Sequence, residues 1–201
     1  MLTIATIVPN DYFAPWDFVR SILKLPPKYF FKEHQGCLVS KNRNYIWEMV
    51  KLDNKENPGD LLFIDSDIVF EPEDVATMEE NLKTYDIVTG LYIIKSWDWS
   101  AGIFKKIDGK YDFVKPQEGI FKVEACGNAF MGISRRVINH PAMAHEPFEF
   151  IREGNVVHGE DVSFCQRARE TGFKVWCNSA VKVGHMKSQI IRPGDKEPDT
   201  Y

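Results

Sequence analysis

The sequence contains neither a long apolar run nor a recognisable leader. No apolar stretch approaches the roughly eighteen residues that a membrane-spanning helix needs. Residues 2–8 form an apolar, strand-like start that lacks the charged region and the cleavage site of a signal peptide. We therefore expect a cytoplasmic protein without an integral membrane segment.

Basic residues are not clustered either. The formal net charge is −4, and no group of five or more neighbouring lysines and arginines occurs. Binding to nucleic acid or to an anionic membrane surface usually depends on such groups. We expect neither partner for this protein.

Cysteines are few and widely separated. The four are Cys37, Cys126, Cys165 and Cys177. They include no C-x-x-C pair, and each has apolar neighbours in sequence, so a zinc site or a disulfide framework is not predicted. Buried free thiols are the expected state.

The chain is long enough for one well-buried core and short for two. It has 201 residues, of which 44% are hydrophobic, and no internal repeat. We predict a single catalytic domain over residues 1–191, followed by a polar, proline-containing tail at 192–201.

Apolar periodicity predicts an α/β fold with a mostly parallel central sheet flanked by helices. The predicted order is strand 2–8, helix from 17, strand 37–39, helix capped by Ser40, strand 61–64, helix 72–82 and strand 86–90. Short alternating runs between 102 and 125 predict a small antiparallel ribbon. Residues 139–155 have no clear period and are predicted to form a mobile loop at the mouth of the site.

Two carboxylates follow the most apolar of these strands. Asp65 and Asp67 flank Ser66 directly after the run 61–64. Ligands of open α/β sheets bind where buried strands end, and carboxylate oxygens suit magnesium or manganese. The alternative is a solvated turn that leads into the helix beginning at Pro72.

Other polar residues stand at similar positions. Arg43 lies in the first turns of a predicted helix, where it could meet a phosphate or simply be solvated. Glu160 and Asp161 open a later helix, and they are either catalytic acids or an ordinary acidic helix start. His185 ends the last predicted strand, where it is a metal ligand or a structural histidine.

Taken together, these motifs resemble the glycosyltransferases of the GT-A fold, especially family-2-like enzymes and their short phage and bacterial relatives. The matching segments are 40–44, the Asp-x-Asp at 65–67, 127–131, 159–168 and 183–185. They occur in the expected order across roughly residues 2–190. One departure is Ala129, which stands where the family's Gly-x-Gly-Phe-Met segment has its second glycine.

The resemblance implies a role for each site residue. The residues expected to contact the nucleotide-sugar are Pro9, Arg43, Asp65, Ser66, Gly127 and Asn128. The expected ligands of Mn²⁺ or Mg²⁺ are Asp65, Asp67 and His185. Asp161 is the expected general base, and Glu160 is expected to orient hydroxyls of the acceptor or sugar.

The chemistry agrees with these roles. A metal bound by Asp67 and His185 would stabilise the departing nucleoside diphosphate as a Lewis acid. Asp161 could accept the proton that the acceptor hydroxyl loses as it attacks. We therefore predict a metal-dependent transfer of a sugar, with a UDP-sugar favoured as donor, to a hydroxyl acceptor.

Two other functions fit part of the sequence. A sugar-nucleotide pyrophosphorylase also uses Asp-bound magnesium, but residues 8–11 lack the glycines of its phosphate loop. A catalytically silent carbohydrate- or nucleotide-binding module would keep the fold. Such a module has little need for Asp65, Asp67, Asp161 and His185 together.

Overall fold

A computed structural model describes residues 1–8, 14–56, 58–94 and 100–186. The strands are β1 (Leu2–Val8), β2 (Phe30–Gln35), β3 (Asp60–Ile64), β4 (Ile68–Val69), β5 (Ile87–Leu91), β6 (Ile103–Ile107), β7 (Lys110–Phe113), β8 (Ile120–Val123), β9 (Ala125–Cys126), β10 (Phe130–Ile133), β11 (Ile151–Glu153), β12 (Val156–His158), β13 (Val175–Lys182) and β14 (Gly184–His185). The helices are α1 (Trp16–Leu23), α2 (Val39–Asp53), α3 (Pro72–Asn81), α4 (Arg135–Ile138) and α5 (Glu160–Glu170), with a 3₁₀ turn at Pro141–Met143. The predicted tail at 192–201 lies outside the described residues.

Seven strands form the central sheet in the order β2-β1-β3-β10-β5-β13-β8. Five of them run parallel, whereas β10 and β8 run antiparallel to their neighbours. Strands β6 and β7, with β9, make the small antiparallel ribbon predicted at 102–125. The predicted fold class is confirmed.

The direction of β10 determines what meets at the carboxyl edge of the sheet. Phe130, the first residue of β10, pairs with Ile64, the last residue of β3. The segment before β10 therefore lies beside the segment after β3. This pairing brings residues 127–129 next to the Asp-x-Asp turn.

Apolar side chains cover both faces of the sheet, as expected for central strands that are continuously apolar. On one face, α2 and α5 contribute the fully buried Trp47 and Phe164. On the other face, α1 and α3 contribute Phe18 and Met78. Both layers hold the carboxyl ends of the parallel strands in fixed positions.

The edge of the sheet near α2 differs from the prediction. The strand expected at 37–39 is wrong, because β2 occupies Phe30–Gln35 and α2 already begins at Val39. Among the described strands, β2 pairs with β1 alone, at the edge of the sheet. It is largely exposed and lacks the apolar run that marks a central strand. Ser40 lies inside α2 rather than capping it, and Cys37 is exposed, whereas the other cysteines are buried.

Residues 139–155 are packed rather than forming the predicted loop. The 3₁₀ turn at Pro141–Met143 and strand β11 lie within this segment. Phe148 is fully buried, stacks on Phe164 with ring centroids 4.5 Å apart, and meets the rings of Trp47 and Phe63 edge-on. The prediction failed because one anchoring aromatic carries no periodicity.

In the described part of the chain, no helix is both long and apolar enough to cross a membrane.

We expect Phe148→Ala to lower the free energy of unfolding by about 3–5 kcal/mol, because it empties a packed aromatic site. Phe150, which is 52% exposed on the same segment, provides the matched control. Phe150→Ala should change the free energy by less than about 0.5 kcal/mol. Urea unfolding measures both, and equal effects would contradict the packing described here.

Candidate active site

One cavity of about 950 Å³ opens at the carboxyl edge of the sheet. Nine predicted site residues line it: Arg43, Asp65, Ser66, Asp67, Gly127, Asn128, Glu160, Asp161 and His185. The remaining one, Pro9, lies outside the described residues. A smaller cavity of about 440 Å³ near β8 is lined by none of them.

The Asp-x-Asp turn is held by backbone contacts on both sides. The Asp65 N–H donates to the Ala129 carbonyl at 3.0 Å, and the Asp67 carbonyl accepts from the Met186 N–H at 2.9 Å. The short antiparallel pair β4–β14 sets His185 opposite Ile68. This pairing brings His185 Nε2 within 3.3 Å of Asp67 Oδ2.

The contact at Nδ1 of His185 indicates which ring nitrogen carries the proton. Nδ1 lies 2.7 Å from the carbonyl oxygen of Ile93, which can only accept a hydrogen bond. Nδ1 therefore carries a proton, so in a neutral ring the lone pair of Nε2 faces the Asp67 carboxylate. Two acceptors at this distance are satisfied by a shared proton or by a cation, and the backbone contact at Nδ1 is typical of a histidine metal ligand.

Asp67 and His185 thus fit a divalent metal, whereas Asp65 has a different partner. Its Oδ1 accepts from Arg43 Nη2 at 2.9 Å. Within the described ranges, no three His, Cys, Asp or Glu residues are close enough together to hold a metal ion. Two protein ligands leave positions for the phosphate oxygens of a substrate, which is common for magnesium.

Arg43 is a buried cation between two acids. Besides Asp65, its guanidinium contacts Glu160 (Nε–Oε1, 3.4 Å) and lies over the ring of Phe63. Burial lowers the pKa of Arg43, but Asp65 and Glu160 more than offset this, so the pKa is raised and the group stays charged. Its Nη1 is buried without a hydrogen-bond partner among the described residues.

Asp161 has an environment that suits a general base. Its Oδ1 accepts from the Val162 N–H at 2.7 Å in the first turn of α5. Burial raises the pKa of its carboxyl to about 6, with a further contribution from the neighbouring charge of Glu160. The helix N-terminus and Arg43 act in the opposite direction, and desolvation outweighs them. Asp161 is therefore mostly ionised at pH 7 yet more basic than an ordinary aspartate.

Tyr92 lines the cavity but was not among the predicted site residues. It follows β5 as Asp65 follows β3, and that position was the available signal. Its ring is buried and meets His185 edge-on at 5.8 Å. A Cβ on Gly127 would lie 2.0 Å from Tyr92 Oη, and one on Gly102 would lie 2.5 Å from Cζ, so both glycines make room for the phenol. Burial raises the pKa of Tyr92 well above its usual value, which keeps the hydroxyl neutral.

Two solved structures resemble this chain. A197 from STIV matches with a TM-score of 0.67 and 19% identity, over 94% of this chain and 87% of that one. GalNAc-T7, solved with UDP, GalNAc and Mn²⁺, matches with a TM-score of 0.62 and 11% identity, over 92% of this chain. The fold is GT-A-like. The match covers 43% of the GalNAc-T7 chain, so this chain spans less than half of it. No protein-family model and no curated protein matches the sequence.

We expect Asp161→Asn to raise the Tm at pH 7.5. Because the folded pKa lies above the ordinary value, ionised Asp161 destabilises the fold above about pH 6, and this disadvantage disappears as the pH falls toward 4. The Tm difference between variant and wild type should shrink over that range in calorimetry. Asp112→Asn, on exposed β7, is the control and should change the Tm little at any pH. A difference for Asp161→Asn that stays constant with pH would contradict a desolvated carboxyl.

Proposed function

We propose that this protein is a metal-dependent glycosyltransferase that moves a sugar from a nucleoside-diphosphate sugar, with UDP favoured as the nucleotide, to a hydroxyl acceptor. The proposal depends on one observation: the adjacent Asp67 and His185 line the same cavity as the desolvated Asp161. GalNAc-T7, which shares the fold, is a glycosyltransferase solved with UDP and Mn²⁺. The order of the motifs supports a family-2-like enzyme of the short phage or bacterial type, with residues 1–191 as its catalytic domain.

Asp67 and His185 would hold Mn²⁺ or Mg²⁺ through one carboxylate oxygen and Nε2. When bound, the metal supplies Lewis-acid stabilisation of the charge on the departing diphosphate. The carbonyl of Ile93 accepts from the protonated Nδ1, so Nε2 is the nitrogen whose lone pair would bind the metal.

Arg43 contributes a second positive charge toward the nucleotide. Its Nη1 donors lack a partner within the described ranges and suit an oxygen of the diphosphate. Asp65 and Glu160 hold the guanidinium in place through its other nitrogens. Arg43 can therefore meet the developing charge without first changing its position.

Asp161 accepts the acceptor's proton. Its Oδ1 is occupied by the Val162 N–H, so Oδ2 is the proposed site of proton transfer. Glu160 is fixed by Arg43 and is proposed to orient a hydroxyl of the acceptor or sugar. The new glycosidic bond forms to the acceptor oxygen as the bond from the sugar to the diphosphate breaks.

The first test is the dependence of binding on metal. Calorimetry with UDP and GDP should detect binding with manganese, and excess chelator should weaken it at least tenfold, because the diphosphate completes the metal shell. Transfer from, or hydrolysis of, the matching nucleotide-sugar should disappear with chelator and return with manganese. Full turnover in excess chelator would overturn the metal assignment.

The second test separates the two aspartates. Asp67→Asn should weaken manganese-supported nucleotide binding and turnover together, because it removes an anionic ligand. Asp161→Asn should leave nucleotide affinity nearly unchanged and lower turnover by about 10²–10⁴-fold, the usual contribution of a positioned base. Calorimetry paired with donor consumption measures both. If Asp161→Asn abolishes binding instead, Asp161 belongs to the donor site and the base lies elsewhere.

A further inference from the structure

The amide of Asn128 is buried and has no hydrogen-bond partner among the residues that the structure describes. The residue is 3% exposed, and neither Oδ1 nor Nδ2 has a partner within the described part of the chain. An unsatisfied buried polar group costs free energy, and a primary amide offers one acceptor and two donors. Such a group is rare in a folded protein and needs an explanation.

Two other buried asparagines, Asn54 and Asn42, have hydrogen-bond partners. Asn54 donates to the Gly59 carbonyl at 3.1 Å and accepts from the Gly59 N–H at 2.8 Å. Asn42 donates to the Gly36 carbonyl at 3.0 Å, and its Oδ1 contacts His34. These residues stabilise the fold by closing turns, whereas no such contact explains Asn128.

Asn128 lies where the nucleotide-sugar is proposed to bind. It lines the candidate active-site cavity between Gly127, whose N–H donates to Gly102, and Ala129, whose carbonyl accepts from the Asp65 N–H. The backbone is therefore fixed on both sides, directly beside the Asp-x-Asp turn. The resemblance implied a contact of Asn128 with the nucleotide-sugar, but the side chain has no hydrogen-bond partner among the described residues, so the part of the donor that it binds is the open question.

We propose that Asn128 turns toward the cavity and binds two neighbouring hydroxyls of the donor sugar, one donating to Oδ1 and the other accepting from Nδ2. This inference rests on the proposed glycosyltransferase function. A primary amide presents its donor and acceptor side by side, which matches adjacent hydroxyls on a ring. The N–H and C=O of a trans acetamido group point in opposite directions, so one such group cannot satisfy both. A vicinal diol at the contact, in contrast, satisfies both atoms of the amide.

Asn128→Leu is the informative variant, because leucine keeps the branched shape of asparagine and removes both hydrogen-bonding groups. We expect affinity for UDP-glucose with manganese to fall about tenfold, equivalent to 1.4 kcal/mol, while affinity for UDP stays unchanged. The Tm of the ligand-free protein should rise by about 2–4 °C, because an unsatisfied buried amide has been removed. The same comparison is made with GDP and GDP-mannose as a second pair of nucleotide and nucleotide-sugar.

Asn81→Leu is the matched control, because Asn81 on α3 is also buried and its Nδ2 has no partner in the described part of the chain, but it does not line this cavity. It should leave affinity for both nucleotide and nucleotide-sugar unchanged. Equal affinity of wild type and Asn128→Leu for the nucleotide-sugar, or an equal loss for nucleotide and nucleotide-sugar, would overturn the sugar contact while leaving the proposed function standing. A lower Tm for Asn128→Leu would also overturn it, since the amide would then have a structural role. Failure of wild type to bind either nucleoside diphosphate would overturn the proposed function and this inference together.

Discussion

The buried ion pairs of Arg43 connect the parts of the cavity. Through Asp65 and Glu160, this residue of α2 joins the end of β3 to the start of α5. Removing one partner of a buried pair leaves an uncompensated charge, which is strongly unfavourable. Arg43 therefore stabilises the positions of both acids. The elements that carry Asp65 and Glu160 are thus held relative to one another by charge as well as by packing.

The buried surroundings of Arg43 also contain two nearby acids, Asp65 and Asp161, whose environments differ. Asp65 is paired with a cation, whereas Asp161 is desolvated beside another carboxylate, and its pKa rises to about 6. One residue therefore serves to anchor, while the other can exchange a proton near neutral pH. Tyr92 extends this region beneath both acids as a neutral, buried phenol.

Features that depend on continuous apolar runs could be predicted from the sequence. The run 61–64 and the motif order gave the α/β class and brought the candidate residues to one edge of the sheet. Features that depend on tertiary partners could not be predicted. The exposed edge strand β2 carries no apolar run, and Phe148 anchors its segment through contacts distant in sequence.

The insertion of β10 between β3 and β5 also constrains how the chain folds. Both neighbours precede β10 in sequence, so the middle of the sheet stays open until residues 130–133 arrive. Before then, two apolar strands present unpaired backbone edges, which are the surfaces through which folding intermediates associate. Because this pairing joins segments far apart in the chain, loop closure slows it. The arrival of β10 therefore completes the edge of the sheet that carries the candidate site and also covers both open strand edges.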